Sequence, residues 1–337
     1  MKEIEYKNMK IPNNVIEWLL EEENPSIRYR TMLELQEVPE SDLNLQSAKK
    51  MIPNYLPVKK MLDAMHPDGY WEQINPRSHK HFGKGVEYNR DTTHFILSFL
   101  AELGMTREEP KIEKAGNRYL SLQQEDGDFF DHFSCLYGLN IRTFNLLGFK
   151  GDYRLNKTVE LMKNSIRYDN GYLCEIHEGK RKKDRLVKSC IRGSALVLLT
   201  LVEMPELWNE TFAKKIAGYF LNRNVLYKTT NPETYVRKDT GSTIFPFNHR
   251  FGLIEVLLPL AKMGYGEDLR IKSAWNILAQ HKTEEGKYIL DSVYNSKYWK
   301  FGENGSVNKW ITFYAYLCLK YKEKAQSTKI KKGISKL

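Results

Sequence analysis

The groups in this chain able to do chemistry are few enough to take one at a time. Cys135, Cys174 and Cys190 stand at the starts of apolar segments or in the loops feeding them, whereas Cys318 lies inside an apolar run beside Tyr316, Leu317 and Leu319. Asp91 and His94 open the segment TTHFILSFLAELGM, Asp131 stands just before Cys135, and Asn248 and His249 lead into RFGLIEVLLPL. Thiolate and imidazole are preferred ligands of Zn²⁺, and three protein ligands with a fourth position open make a catalytic site. On that reading Cys135, Cys174 and Cys190 hold a zinc ion, while Asp91, His94 and Asp131 are the candidate catalytic groups. The linear signal is thin, with no CxxC and no HxxxH. A buried thiol is common in helical cores, so core cysteines, zinc ligands and a reactive thiol all stay open.

What would bring these residues together is a repeat of helix pairs. Thr92–Met105, Cys135–Phe149, Cys190–Pro205 and Arg250–Tyr265 are apolar nearly all round, as a helix buried on most faces must be. Each precedes a short polar break and a helix charged on one side, such as Pro110–Gln124 or Asp268–Lys282. The breaks at Gly151–Arg154 and Glu267–Arg270 are near copies, with Gly as a helix stop and Asp as an N-cap. Between units, HPDGYW, QEDGDFF, YDNGYL and EEGKYIL share an acid, a residue tolerant of positive φ and an aromatic, which predicts a tight turn closed by a packed ring. Buried helix and half-exposed helix in alternation describe an inner ring wrapped by an outer one, an all-α, α/α toroid. Strand signal is confined to short pieces such as Tyr288–Leu290. If the inner helices run parallel, their N-termini open at one mouth, and Asp91, His94, Asp131, Cys135, Cys174, Cys190 and His249 gather there.

RYLSLQQEDGDF (Arg118–Phe129) resembles the prenyltransferase and squalene-oxidase repeat of triterpene cyclases and protein prenyltransferase β subunits. NPSIRYRTMLEL (Asn24–Leu35) and NKWITFYAYLCLK (Asn308–Lys320) resemble a bacterial and archaeal branch of squalene-cyclase-like proteins. The resemblance spans roughly residues 10 to 320. It implies a terpenoid-cyclase-like toroid binding a small, largely apolar ligand in a central cavity of several hundred Å³. CLYG (Cys135–Gly138) and CIRG (Cys190–Gly193) resemble the zinc peptides of lanthipeptide cyclases, which are also toroids, but Ile191 stands where that family has a ligating His.

The chemistry of those families is poorly represented. The nearest match to a DxDD acid motif, Asp126, Asp128 and Asp131, has neither its spacing nor its adjacent pair, and its first Asp belongs to a repeat turn; DDxxD is absent. A farnesyltransferase-like trio of Asp131, Cys135 and His249 has unfamiliar spacing. Trp71, Phe95, Tyr137, Phe247 and His249 are the candidate ligand contacts, with packing between helix rings as the alternative. Arg28 and Arg30 could clamp an acid, but pairing with Glu21–Glu23 is the plainer expectation.

The chain has 337 residues, 41% hydrophobic and 28% charged, as a globular protein has. It contains no apolar stretch long enough to span a membrane, and its polar start does not read as a signal peptide. With its four cysteines not forming a disulfide framework, a cytoplasmic protein is expected. The net charge of +10 is local: Lys320–Leu337 carries seven lysines and one Glu, and Lys180–Lys188 six basic residues and one Asp. Nucleic acid is therefore not an expected partner, and residues 320–337 read as a mobile basic tail after a toroid of residues 1–319 (a helical section to 64, helix pairs from 65). The functional reading is an enzyme with a small-molecule ligand, zinc-assisted in one version. The competing reading is a binding or scaffold protein that kept the toroid without its chemistry.

Overall fold

A computed structural model describes residues 11–71, 91–129, 133–174, 187–247, 251–293 and 295–334, with side chains to residue 324. Its helices are α1 (Asn13–Leu19), α2 (Pro25–Arg30, extended by a wider turn over Thr31–Leu35), α3 (Leu43–Met51), α4 (Leu56–Asp63), α5 (Thr93–Glu102), α6 (Pro110–Leu120), α7 (Ser134–Phe144), α8 (Tyr153–Asn164), α9 (Ile191–Thr200), α10 (Thr211–Leu221), α11 (Ile254–Leu260), α12 (Lys272–Gln280) and α13 (Lys309–Ile334). The two expected characters are plain. Every residue of α5 is buried. In α6 only Ile112, Ala115, Gly116, Tyr119 and Leu120 are, which is one stripe of an amphipathic helix.

The inner ring is α2, α5, α7, α9, α11 and α13, each packed on the next, and α13 returns to α2. The chain forms an all-α, α/α toroid. Neighbouring inner helices run parallel: a Cβ on Gly193 would lie 3.6 Å from Cys135, and one turn further along both helices Gly138 meets Leu196. There a Cβ would stand 2.5 Å from the Leu196 carbonyl oxygen, so only glycine lets α7 and α9 approach this closely. The freed space is used by Thr200, whose hydroxyl donates to the Gly138 carbonyl at 2.7 Å.

The repeat punctuation has one recurring geometry. Gly104, Gly148 and Gly264 end α5, α7 and α11 with φ of +89°, +86° and +90°. Asp152 and Asp268 each accept the backbone N–H two residues on at 2.9 Å, and are gripped by that residue's guanidinium. Both arginines also reach an Asn of the preceding outer-helix segment, Asn117 and Asn222. The unit-linking turns share a bond pattern in which residues 66, 124, 167 and 283 exchange backbone hydrogen bonds with residues three and four further on. Gly69, Gly127, Asn170 and Gly286 take the positive φ, and Trp71, Phe129, Tyr172 and Tyr288 are the buried rings.

Short strands complete the described residues: an antiparallel hairpin β1 (Tyr227–Lys228) with β2 (Asn231–Tyr235), a parallel pair β3 (Ile244–Phe245) with β5 (Ser292–Val293), and an antiparallel pair β4 (Ile289–Leu290) with β6 (Ser306–Val307). The β3–β5 pair is pinned by Asp291, which accepts from Thr243 N at 2.9 Å and lies 2.7 Å from His281 Nε2. Burial lowers the His281 pKa less than the Asp291 hydrogen bond raises it, so the imidazole titrates above its ordinary value.

The loops carrying β3 and residues 295–301 drive aromatics into the ring centre, where Phe99 stacks on Trp299 at 4.3 Å and Phe245 on Trp310 at 4.7 Å. Among the described residues, the space between Ser98, Glu102, Gly138, Arg142, Leu196 and Phe247 is a cavity of about 20 Å³, enough for a single water. The basic segment from Lys320 differs from a mobile tail. It continues α13 as helix to Ile334, and Lys320 is buried, donating to the Glu34 carbonyl at 2.5 Å. No helix among the described residues is long and apolar enough to cross a membrane.

Candidate functional site at the mouth of the inner ring

The N-terminal ends of α5, α7, α9 and α11 and the loops before them make the mouth. Asp131 and His249 lie outside the described residues, as does most of Lys180–Lys188. Asp91, just before α5, has its carboxylate 3.3 Å from Lys297 Nζ. His94, in the first turn of α5, is 3% exposed, with Phe95 and Tyr119 against its ring. Burial pushes its pKa down to about 3, so the imidazole is neutral at any working pH.

Two of the three mouth cysteines meet. The Cys174 thiol lies 3.6 Å from Cys135 Sγ and 3.8 Å from the Ser134 hydroxyl. Tyr137 is buried next to them; burial raises its hydroxyl pKa, and the charges of Asp128, Cys174, Asp126 and Cys135 raise it further. Cys190 is placed apart as the N-cap of α9, where its N–H donates to Tyr172 O at 2.7 Å. Among the described residues no three His, Cys, Asp or Glu side chains come together as a metal site. Cys318 is fully buried in α13, and burial raises its thiol pKa.

The aromatic candidates are buried in the walls. Trp71 N–H donates to Thr93 Oγ1 and its indole N–H to Met61 O at 2.7 Å. Phe247 packs edge-on to Tyr314 at 4.6 Å beside the small central cavity. Arg28 pairs with Glu22 at 2.7 Å, as expected, but Arg30 turns inward. It reaches Glu102 at 2.9 Å and the Tyr314 hydroxyl at 2.5 Å, while Arg142 holds the other Glu102 oxygen at 2.5 Å. This buried Arg–Glu–Arg clasp joins α2, α5, α7 and α13 at the end of the ring away from the mouth.

The group that helix-start reasoning passed over is Glu255, in the first turn of α11. It is 1% exposed, and among the described residues no side chain hydrogen-bonds its carboxyl oxygens. Burial raises its pKa to about 8, and the nearby charge of Asp239 adds to this; the backbone N–H groups of Glu255 and Gly252 and the Arg142 guanidinium offset it in part. Gly252 leaves the carboxyl its space, since a Cβ there would stand 2.6 Å from Glu255 Oε2. Asp239 accepts from Arg237 Nε at 3.1 Å and faces Arg192 Nη2 at 3.6 Å. The Arg192 Nε is itself buried without a partner among the described residues. The mouth therefore holds a neutral carboxylic acid beside a carboxylate flanked by two guanidiniums. One sequence signal pointed to it: Glu255 is the ionisable residue in the otherwise apolar run FGLIEVLLPL.

This architecture has counterparts of known structure. The glycosyl hydrolase of family 88 from Bacteroides vulgatus superposes with a TM-score of 0.52 at 12% identity, covering 92% of this chain and 97% of the other. A polysaccharide lyase gives 0.49 at 13%, over 94% and 90% of the two chains. A type II terpene cyclase from Scytonema gives 0.31 at 12%, over 83% and 99%. At these identities the likeness to the hydrolase bears on the fold alone. No protein-family model and no curated protein matches the sequence.

Proposed function

We propose that the chain is a toroid enzyme working by general acid catalysis at the mouth of its inner ring, with Glu255 as the proton donor. The observation that carries this reading is the Glu255 carboxyl, buried at the start of α11 near the charge of Asp239, raised to about 8 and so protonated at neutral pH. Carboxyls held neutral by burial next to a second charged group are typical of acid–base sites. Asp239 is the second carboxyl. A pair of carboxyls, one protonating the leaving oxygen and one acting on the opposite side of the bond, is what glycoside cleavage requires. That is the chemistry named for the glycosyl hydrolase with a similar fold, and a glycosidic substrate lying across the mouth is the reading we favour.

The terpenoid-cyclase-like alternative also begins with a protonation, but it needs an apolar chamber, and the 20 Å³ at the ring centre weighs against it. The same filled centre favours the second reading, a scaffold that retains the toroid without catalysis. A panel of aryl glycosides and of neutral and acidic oligosaccharides, offered to wild type and Glu255→Gln, separates the two. Turnover by wild type that drops about 100-fold or more in Glu255→Gln supports the acid role. Equal turnover by both removes Glu255 from the mechanism, and no turnover across the panel supports the scaffold.

A further inference from the structure

At the edge of the mouth, a groove of about 550 Å³ runs between the loop before α9, the end of α10 and the β1–β2 hairpin. Among the described residues its lining includes Lys188, Arg223, Lys228 and Arg237 and no acidic side chain. Lys188 and Lys228 are exposed. Arg223 is fixed in place: its guanidinium lies 3.6 Å over the Tyr219 ring and donates to Tyr219 O at 2.6 Å. Arg237 is the link to the mouth, because the Asp239 it binds also faces Arg192 and helps keep Glu255 protonated. Asp169, a further carboxylate among the described residues, is occupied with Ser189 N and Oγ. Among the described residues, four cations stand around one concave surface and Asp239 answers one of them, which leaves a net positive lining. Such a surface attracts anions and holds them with charge-assisted hydrogen bonds.

We propose that this groove binds a small polyanion carrying two or more carboxylate, sulfate or phosphate groups, and presents it to the mouth as the acidic part of the substrate. The word substrate rests on the acid role of Glu255; the binding stands apart from it.

Calorimetric titration of the full chain tests it, with a galacturonate trisaccharide, a sulfated disaccharide, tripolyphosphate and a neutral trisaccharide as probes, at low and high salt. At least one anionic probe is expected to bind, more weakly as salt rises, while the neutral sugar does not. Which one binds identifies the acid group. Lys188→Ala/Lys228→Ala should weaken binding by about tenfold or more. Lys214→Ala/Lys215→Ala, an exposed pair on α10 outside the lining, should leave it unchanged, with circular dichroism confirming that both variants fold. Glu255→Gln should bind as wild type does, so its loss of turnover is read separately. The proposal is overturned if no anion binds at millimolar concentration, if the neutral sugar binds equally well, or if both lysine pairs weaken binding alike.

Discussion

At the scale of single residues, burial acts on Glu255 and His94 in opposite senses with respect to pH. Glu255 has a folded pKa near 8 against an ordinary 4.5, so between those values the folded chain keeps a proton that the unfolded chain releases. Its contribution is fully present below 4.5 and is lost as pH rises through 8, an effect on the order of a few kcal/mol. His94, at about 3 against 6.5, works in reverse: its contribution is present above 6.5 and is lost as pH falls towards 3. Glu255→Gln should therefore flatten the decline of the melting temperature between about pH 5 and 8 while leaving the His94 limb in place. Parallel curves for the two proteins would mean that the carboxyl is ionised throughout. Neither property could be read from a local motif. Reasoning from helix starts picked out His94, because imidazole is the usual catalytic group, and passed over Glu255, because a lone acid in an apolar run has no spacing to recognise. Its signal was the run itself: an ionisable side chain on a helix buried all round must be neutralised or paired, and Glu102 and Arg142 were marked in the same way.

At the scale of elements, the sequence was most informative where glycine and aspartate punctuate the helices. The positive φ at Gly127 and Asn170, and the capping by Asp152 and Asp268, are local consequences of residue type, which is why these boundaries were legible. Gly138 has a different role that no turn signal announces, since what it avoids belongs to another helix. Gly138→Ala should push α7 from α9 and cost about 1–3 kcal/mol, measured by denaturant unfolding. A loss of only a few tenths would show that the two helices can separate freely. The filling of the ring centre was not legible for a similar reason. It comes from loop residues, Phe245 and Trp299, whose destination depends on how non-adjacent loops meet.

At the scale of the whole molecule, the clasp of Arg30, Glu102 and Arg142 decides whether the ring stays closed. Burying these charges is costly, and the arrangement holds because each guanidinium faces a carboxylate. Glu102→Ala removes the shared carboxylate and leaves Arg30 with Glu34 and Arg142 with Glu203; it should cost about 2–4 kcal/mol, while a Glu102→Gln replacement, which keeps one acceptor oxygen, should cost less. Equal costs for the two variants would mean that the kept oxygen contributes nothing to the clasp. Its partners are also far apart along the chain: Arg30 and Tyr314 are 284 residues from each other, and Lys320 and Glu34 are 286. A chain leaving the ribosome can stack its helix pairs in order, each on the one before, yet it remains an open arc until α13 emerges. Until then the face of α2 that meets α13 has no neighbour to cover it, and the last segment synthesised is the one on which the first depends for shelter.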